Sequence, residues 1–280
     1  MSVPRPAIPD PIKRAIRQRC GFGCVLCGIP IYEIDHLMPY SEVEEHDPEN
    51  LVLLCKQHHG EKTLGLLPAE LVAAANADPY NRRMGVSSPQ ELRYIGEGCE
   101  AVIGSNRHVW PRLDDGMLTV PLLVDDTPVV LFRAEDGHLL LTVQLFSEQN
   151  DMLIQIVDNE LVFSVEPWDV EFKGRELTVR GGPGDIFVRM KFEPADARIT
   201  IERGHIWRNG IELEIHPDRV VFLPNNNVVS GGQAVNCVTG LSTGDIPEGI
   251  GDAIYMGTMR RPFAADRPSE PAVRKVVRRT

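Results

Sequence analysis

Two short cysteine/histidine pairs constrain this chain more than any other feature. Cys24-Val-Leu-Cys27 and Cys55-Lys-Gln-His58 each set two ligand-type side chains three residues apart, with 27 residues between the pairs. A turn with that spacing aims two side chains at one ion, and two such knuckles close a tetrahedral zinc site. One pair alone carries little weight. Both together make Cys24, Cys27, Cys55 and His58 the expected ligands of a structural Zn²⁺. Cys20 falls four residues before Cys24, outside the repeat, and reads as a small packing residue. Cys99 and Cys237 stand singly and read as core. The first twenty residues carry basic side chains but no apolar core of a secretory signal. No apolar run reaches the roughly 18 residues of a membrane span. The expectation is a cytoplasmic protein without a membrane partner, whose six cysteines are thiols or metal ligands rather than disulfides.

At roughly 100–200 residues per domain, 280 residues suggest two domains. Residues 10–19, DPIKRAIRQR, predict a short basic helix with Pro11 in its first turn. The Cys/His-rich block runs from Cys20 to Thr63, and LLPAELVAAANA predicts a helix starting near Pro68 and fading at Asp78-Pro79. Residues 78–95 hold Pro, Gly, Ser and paired arginines and are expected to be a linker. From about residue 96 the pattern changes to short, often alternating segments such as LLLTVQLF, MLIQIV and IELEI, separated by turn signals such as EDG, VDNE and RGHIWRNG. That is the pattern of an all-β sandwich or barrel-like domain. Trp110, Trp168 and Trp207 read as core residues within it. The expected layout is therefore a Cys/His-rich finger domain over 1–77, a linker over 78–95, a β-rich domain over 96–259 and a basic disordered tail over 260–280. The fold class is α+β.

Within the Cys/His block, IYEIDHLMPY suggests a strand delivering Asp35 and His36. A polar loop, SEVEEHDPE, leads to Asn50. A second strand, LVLLC, runs into HHGEKT, which opens a helix. This block resembles the HNH endonucleases, whose fold is the ββα-metal finger. The three signature positions of that family match His36, Asn50 and His59, with steps of 14 and 9, and Asp35 matches the acidic residue directly before the first histidine. The paired knuckles match a zinc-stabilised branch of the family. The resemblance covers residues 12–75. Two features depart from it. His58 stands where many relatives of this branch carry a fourth cysteine, a ligand set that zinc accepts. The loop before Asn50 is acidic, with Glu42, Glu44, Glu45, Asp47 and Glu49, which weakens the case for tight phosphate binding.

The resemblance implies a metal-dependent endonuclease acting on DNA. His36 would be the general base, a task that an imidazole pKa near 6.5 suits at neutral pH. Asp35 and His59 would hold one catalytic Mg²⁺ or Mn²⁺, and Asn50 would brace the loop and orient His36. Consecutive helical residues point about 100° apart, so His58 can face the zinc while His59 faces the cleft. Lys62, one helical turn on, is a candidate phosphate contact, as are Lys13, Arg14, Arg17 and Arg19 on the first helix. His46 reads as an incidental loop histidine.

Charge is unevenly spread. The net is -2 over residues 1–85, -14 over 86–259 and +5 over 260–280. Phosphate binding rests on Lys and Arg, so the acidic middle is a poor DNA reader. It is assigned instead to sensing a protein partner or ligand, as in anti-phage effectors. Two other readings stay open: a free-standing nuclease whose β domain helps to read DNA, and a non-catalytic zinc-finger module that binds DNA or protein.

Overall fold

The computed structural model describes residues 6–246 and 251–257, so the basic tail expected over 260–280 lies outside the described residues. The class is α+β. The chain divides into two compact units: the described residues of 1–88 together with 165–172, and those of 89–164 together with 173 onward.

The first unit opens with α1, Asp10–Cys20. Pro11 sits in the first turn, where a missing N–H costs no intrahelical bond. Arg17 and Arg19 lie in the last turn, where the helix dipole favours cations. Gly21 ends the helix in the left-handed region at φ 67°, which leaves the Phe22 N–H bonded to the Arg17 carbonyl at 2.8 Å. Next come strand β1, Glu33–His36, the one-turn helix α2, Tyr40–Val43, a 3₁₀ turn at Pro48–Asn50, and strand β2, Leu51–Leu54. The two strands pair antiparallel, with Asp35 opposite Val52 and His36 opposite Leu51. All four residues of β2 are buried, in a core that includes Ile16, Val25 and Val72. Helix α3, Lys56–Thr63, follows directly, then α4, Ala69–Ala77.

The linker expectation over 78–95 is corrected by helix α5, Tyr80–Met84, which belongs to this unit. The side chain of Asn81 is fully buried, and its amide donates to the carbonyls of Gly21 at 2.8 Å and Gly28 at 3.1 Å. It thereby ties together the two ends of the loop that carries Cys24 and Cys27. Gly28 has φ +76°, and a Cβ there would stand 2.2 Å from the Asn81 side-chain oxygen. Only glycine fits that approach.

The second unit is built from strands. Several hairpins close on two residues that both have positive φ: Asp136-Gly137, Asp158-Asn159 and Asn209-Gly210. These are type I′ turns, whose twist matches that of the strands they join, and they coincide with the turn signals read above. The strand Arg198–Arg208 organises the pairing. Its first half lies between Asp185–Glu193, antiparallel, and Cys99–Ile103, parallel; its second half pairs with Ile211–His216. The ladder therefore branches there. The unit is β-rich with open sheets, which corrects the barrel alternative.

Residues 165–172, which the sequence pattern assigns to the β-rich domain, belong instead to the first unit. The reason is a buried ion pair. The Arg17 Nε and Nη2 donate to the two carboxylate oxygens of Asp169 at 2.8 and 2.7 Å, and Asp169 is fully buried. Arg14 lies 4.5 Å above the Trp168 ring, and Gln18 donates to the Trp168 carbonyl at 2.7 Å. Removing one partner of such a pair leaves a buried charge without its counterion. Asp169→Ala is therefore expected to destabilise the first unit by about 3–5 kcal/mol, read from the urea midpoint of the full chain. A loss below about 1 kcal/mol, the scale of a surface pair, would contradict this.

Candidate functional site

The first knuckle is shaped by its backbone. The Cys24 N–H donates to the Ile29 carbonyl at 3.0 Å and the Gly28 N–H to the Cys24 carbonyl at 2.7 Å, so the chain folds back between Cys24 and Cys27. The second knuckle is a helix start: Cys55 caps α3, and its carbonyl accepts from the His59 N–H at 2.8 Å. The two bring one ligand atom each from Cys24, Cys27, Cys55 and His58 within 4.8 Å of one another. His58 Nδ1 lies 3.3 Å from both Cys24 Sγ and Cys55 Sγ, and Cys27 Sγ lies 3.8 Å from Cys55 Sγ. A tetrahedral zinc with bonds of about 2.3 Å to sulfur and 2.0 Å to nitrogen sets its sulfurs about 3.8 Å apart and sulfur and nitrogen about 3.5 Å apart. The donor set fits that ion. A hydrogen bond from the Cys27 thiol, aided by backbone N–H groups, holds the Cys24 thiol below its ordinary range, while the same bond and burial push Cys27 up. Cys20 stands outside the cluster: it is buried, its thiol points to Asn76 Oδ1 at 3.6 Å, and burial pushes it up.

His59 faces away from this cluster. Its Nδ1 is 3.0 Å from Glu33 Oε2, and its Nε2 is 3.7 Å from Asp35 Oδ1. One turn separates it from Lys62, whose ammonium donates to Asp35 Oδ2 at 2.7 Å and to the His36 carbonyl. Asp35 therefore has one oxygen held by Lys62 and the other turned toward His59. Two donor atoms 3.7 Å apart are close enough that Asp35 and His59 could hold one cation.

His36 closes β1 and is buried. Its Nε2 lies 3.4 Å from Nδ1 of His46, whose own Nε2 lies 2.8 Å from the Pro6 carbonyl. A carbonyl only accepts, so His46 Nε2 carries a hydrogen. In the neutral ring His46 Nδ1 then accepts from His36 Nε2. Tyr40 meets the His36 ring edge-on at 5.5 Å between centroids. The Asn50 side chain accepts from the Met38 N–H at 2.7 Å and donates to the Met38 carbonyl at 3.0 Å. It pins the backbone just beyond His36, so its hold on that imidazole runs through the loop.

The basic residues are mostly spoken for. Arg17 is withdrawn as a phosphate contact, because its guanidinium is buried against Asp169. Arg19 donates to the Leu51 carbonyl and pairs with Glu49 at 3.3 Å. Arg14 stacks on Trp168, and Lys13 pairs with Asp10 at 3.0 Å, both with about a third of the side chain exposed. Lys62 is engaged with Asp35 rather than presented to solvent. A charge count sees five cations in these positions but not the carboxylates and carbonyls packed against them.

Glu33 and His46 were missed as functional neighbours. Glu33 had a signal: two residues before Asp35 in a strand, it shares that face. His46 had none, because nine residues, four of them in α2, separate it from His36.

Residues 18–64 match the family model described as HNH endonuclease, and the C-terminal region matches no family. No curated protein and no solved structure matches the chain. No helix among the described residues is long and apolar enough to cross a membrane.

The two adjacent histidines are expected to separate by metal content. His58→Ala should lose most of its zinc and the fold of the finger with it, since zinc binding is much of the folding energy of so small a unit. His59→Ala should keep one zinc per chain. Elemental analysis of the purified variants checks this, and the reverse pattern would exchange the two assignments.

Proposed function

We propose that this chain is a metal-dependent endonuclease that hydrolyses phosphodiester bonds of DNA. The family match supports nuclease chemistry on a nucleic acid in general terms. The observation that carries the finer reading is the approach of His59 to Asp35 within 3.7 Å on the side of α3 away from the four zinc-type ligands, with His36 directly following Asp35 at the end of β1. His36 takes the proton of a water as that water's oxygen bonds to phosphorus. The bond from phosphorus to the leaving oxygen breaks, and that oxygen takes a proton from solvent. Asp35 and His59 would hold Mg²⁺ or Mn²⁺, which when bound neutralises charge on the phosphate and the leaving oxygen. Lys62 orients Asp35, and Asn50 fixes the backbone that carries His36. Zn²⁺ is assigned a structural role only.

The β-rich unit is proposed to sense a protein partner or ligand in a cytoplasmic, anti-phage setting. Its strongly acidic stretch speaks against direct contact with phosphates. A second reading, a non-catalytic zinc-finger module for DNA or protein, is favoured by the Lys62 ammonium on Asp35, which already neutralises the carboxylate that a catalytic cation would use.

Plasmid cleavage with Mg²⁺ or Mn²⁺ decides between them. His36→Ala is expected to lower the cleavage rate at least 10²-fold, the scale of a general base, while zinc content and melting stay as in the wild type. His59→Ala should abolish cleavage. A His36→Ala chain that cuts like the wild type would remove His36 from the mechanism, and a wild-type chain inert with both metals, with and without co-purifying partners, would favour the binding module.

A further inference from the structure

We infer that Glu33 is a positioning residue for the catalytic cation, acting through His59 rather than as a ligand. This rests on the proposed metal role of Asp35 and His59. Glu33 and Asp35 lie two residues apart on β1 and so share one face of the strand. They approach different nitrogens of the same imidazole. Glu33 Oε2 is 3.0 Å from Nδ1, and Asp35 Oδ1 is 3.7 Å from Nε2. An ionised carboxylate only accepts hydrogen bonds, so Nδ1 carries the hydrogen. The neutral ring then has its lone pair on Nε2, the nitrogen on the Asp35 side. A histidine that ligates through one nitrogen and donates the other N–H to a carboxylate is fixed in tautomer and orientation and is a stronger base. His59 and Asp35 would hold the cation, and Glu33 would fix the His59 ring from its other nitrogen. About half of the Glu33 side chain is exposed, so its replacement leaves the core of the finger intact.

The test uses the full, zinc-loaded chain and Mn²⁺ alone, with binding followed by the electron paramagnetic resonance of free Mn²⁺. Glu33→Ala is expected to weaken Mn²⁺ binding about 10–100-fold, with zinc content and melting unchanged. In the Mn²⁺-free protein, ¹⁵N spectra of the His59 ring should move from the Nδ1–H form in the wild type to a mixture. Glu33→Gln keeps an acceptor oxygen and should retain the Nδ1–H form and an affinity within a few-fold of wild type. If the alanine variant fails to melt cooperatively, Glu33→Leu, which keeps the bulk and removes the acceptor, takes its place with the same expected loss. Wild-type Mn²⁺ affinity with an unchanged tautomer in Glu33→Ala would overturn the inference. A loss in Glu33→Gln as large as in Asp35→Asn would overturn it too, by making Glu33 a direct ligand. If the wild type has no Mn²⁺ site that His59→Ala removes, the metal reading itself falls, an outcome distinct from both.

Discussion

Everything in the finger depends on four ligand atoms meeting at one point. Two four-residue strands and an eight-residue helix cannot hold themselves together by burial alone, because an isolated two-stranded ribbon is marginal in water. Cys24 and Cys27 come from the turn after α1; Cys55 and His58 come from the junction of β2 and α3. A zinc bound there joins the chain before β1 to the chain after β2. The position of β1 against α3, and with it the distance between Asp35 and His59, follows from that closure.

The same junction explains how one short stretch turns two adjacent imidazoles to different sides. Cys55 caps α3, so His58 and His59 both fall in its first turn. The helical twist sends one imidazole into the cysteine cluster and the other toward β1. Strand periodicity then does matching work on the facing side, where residues 33 and 35 point the same way and meet opposite nitrogens of His59. Neither geometry needs a long-range fold; each needs only that the helix start and the strand be locked side by side.

Charge in this unit is managed by pairing rather than by display. Arg17 and Asp169 form a buried, doubly hydrogen-bonded pair, Arg19 bonds to Leu51 and Glu49, and Lys62 bonds to Asp35. Such pairs set position more than they add stability, because desolvation offsets much of the attraction. They take Arg17, Arg19 and Lys62 away from solvent, while Lys56, Arg82 and Arg83 stay exposed.

The local chemistry was legible in the residues themselves. The spacing of Cys24, Cys27, Cys55 and His58, the strand that delivers Asp35 and His36, and the two-residue turns at Asp136-Gly137 and Asn209-Gly210 all follow from short-range rules. Those rules span at most a few residues, and the sequence states them outright. What only the tertiary structure decided are the partnerships between distant segments. Arg17 meets Asp169 across 152 residues, His46 reaches His36 across a loop, Asn81 seals the first knuckle, and residues 165–172 leave the β-rich region for the finger. No periodicity encodes such meetings. They are set by which surfaces bury one another once the chain is compact, and a charged side chain reads alike in sequence whether it ends in water or against a buried carboxylate.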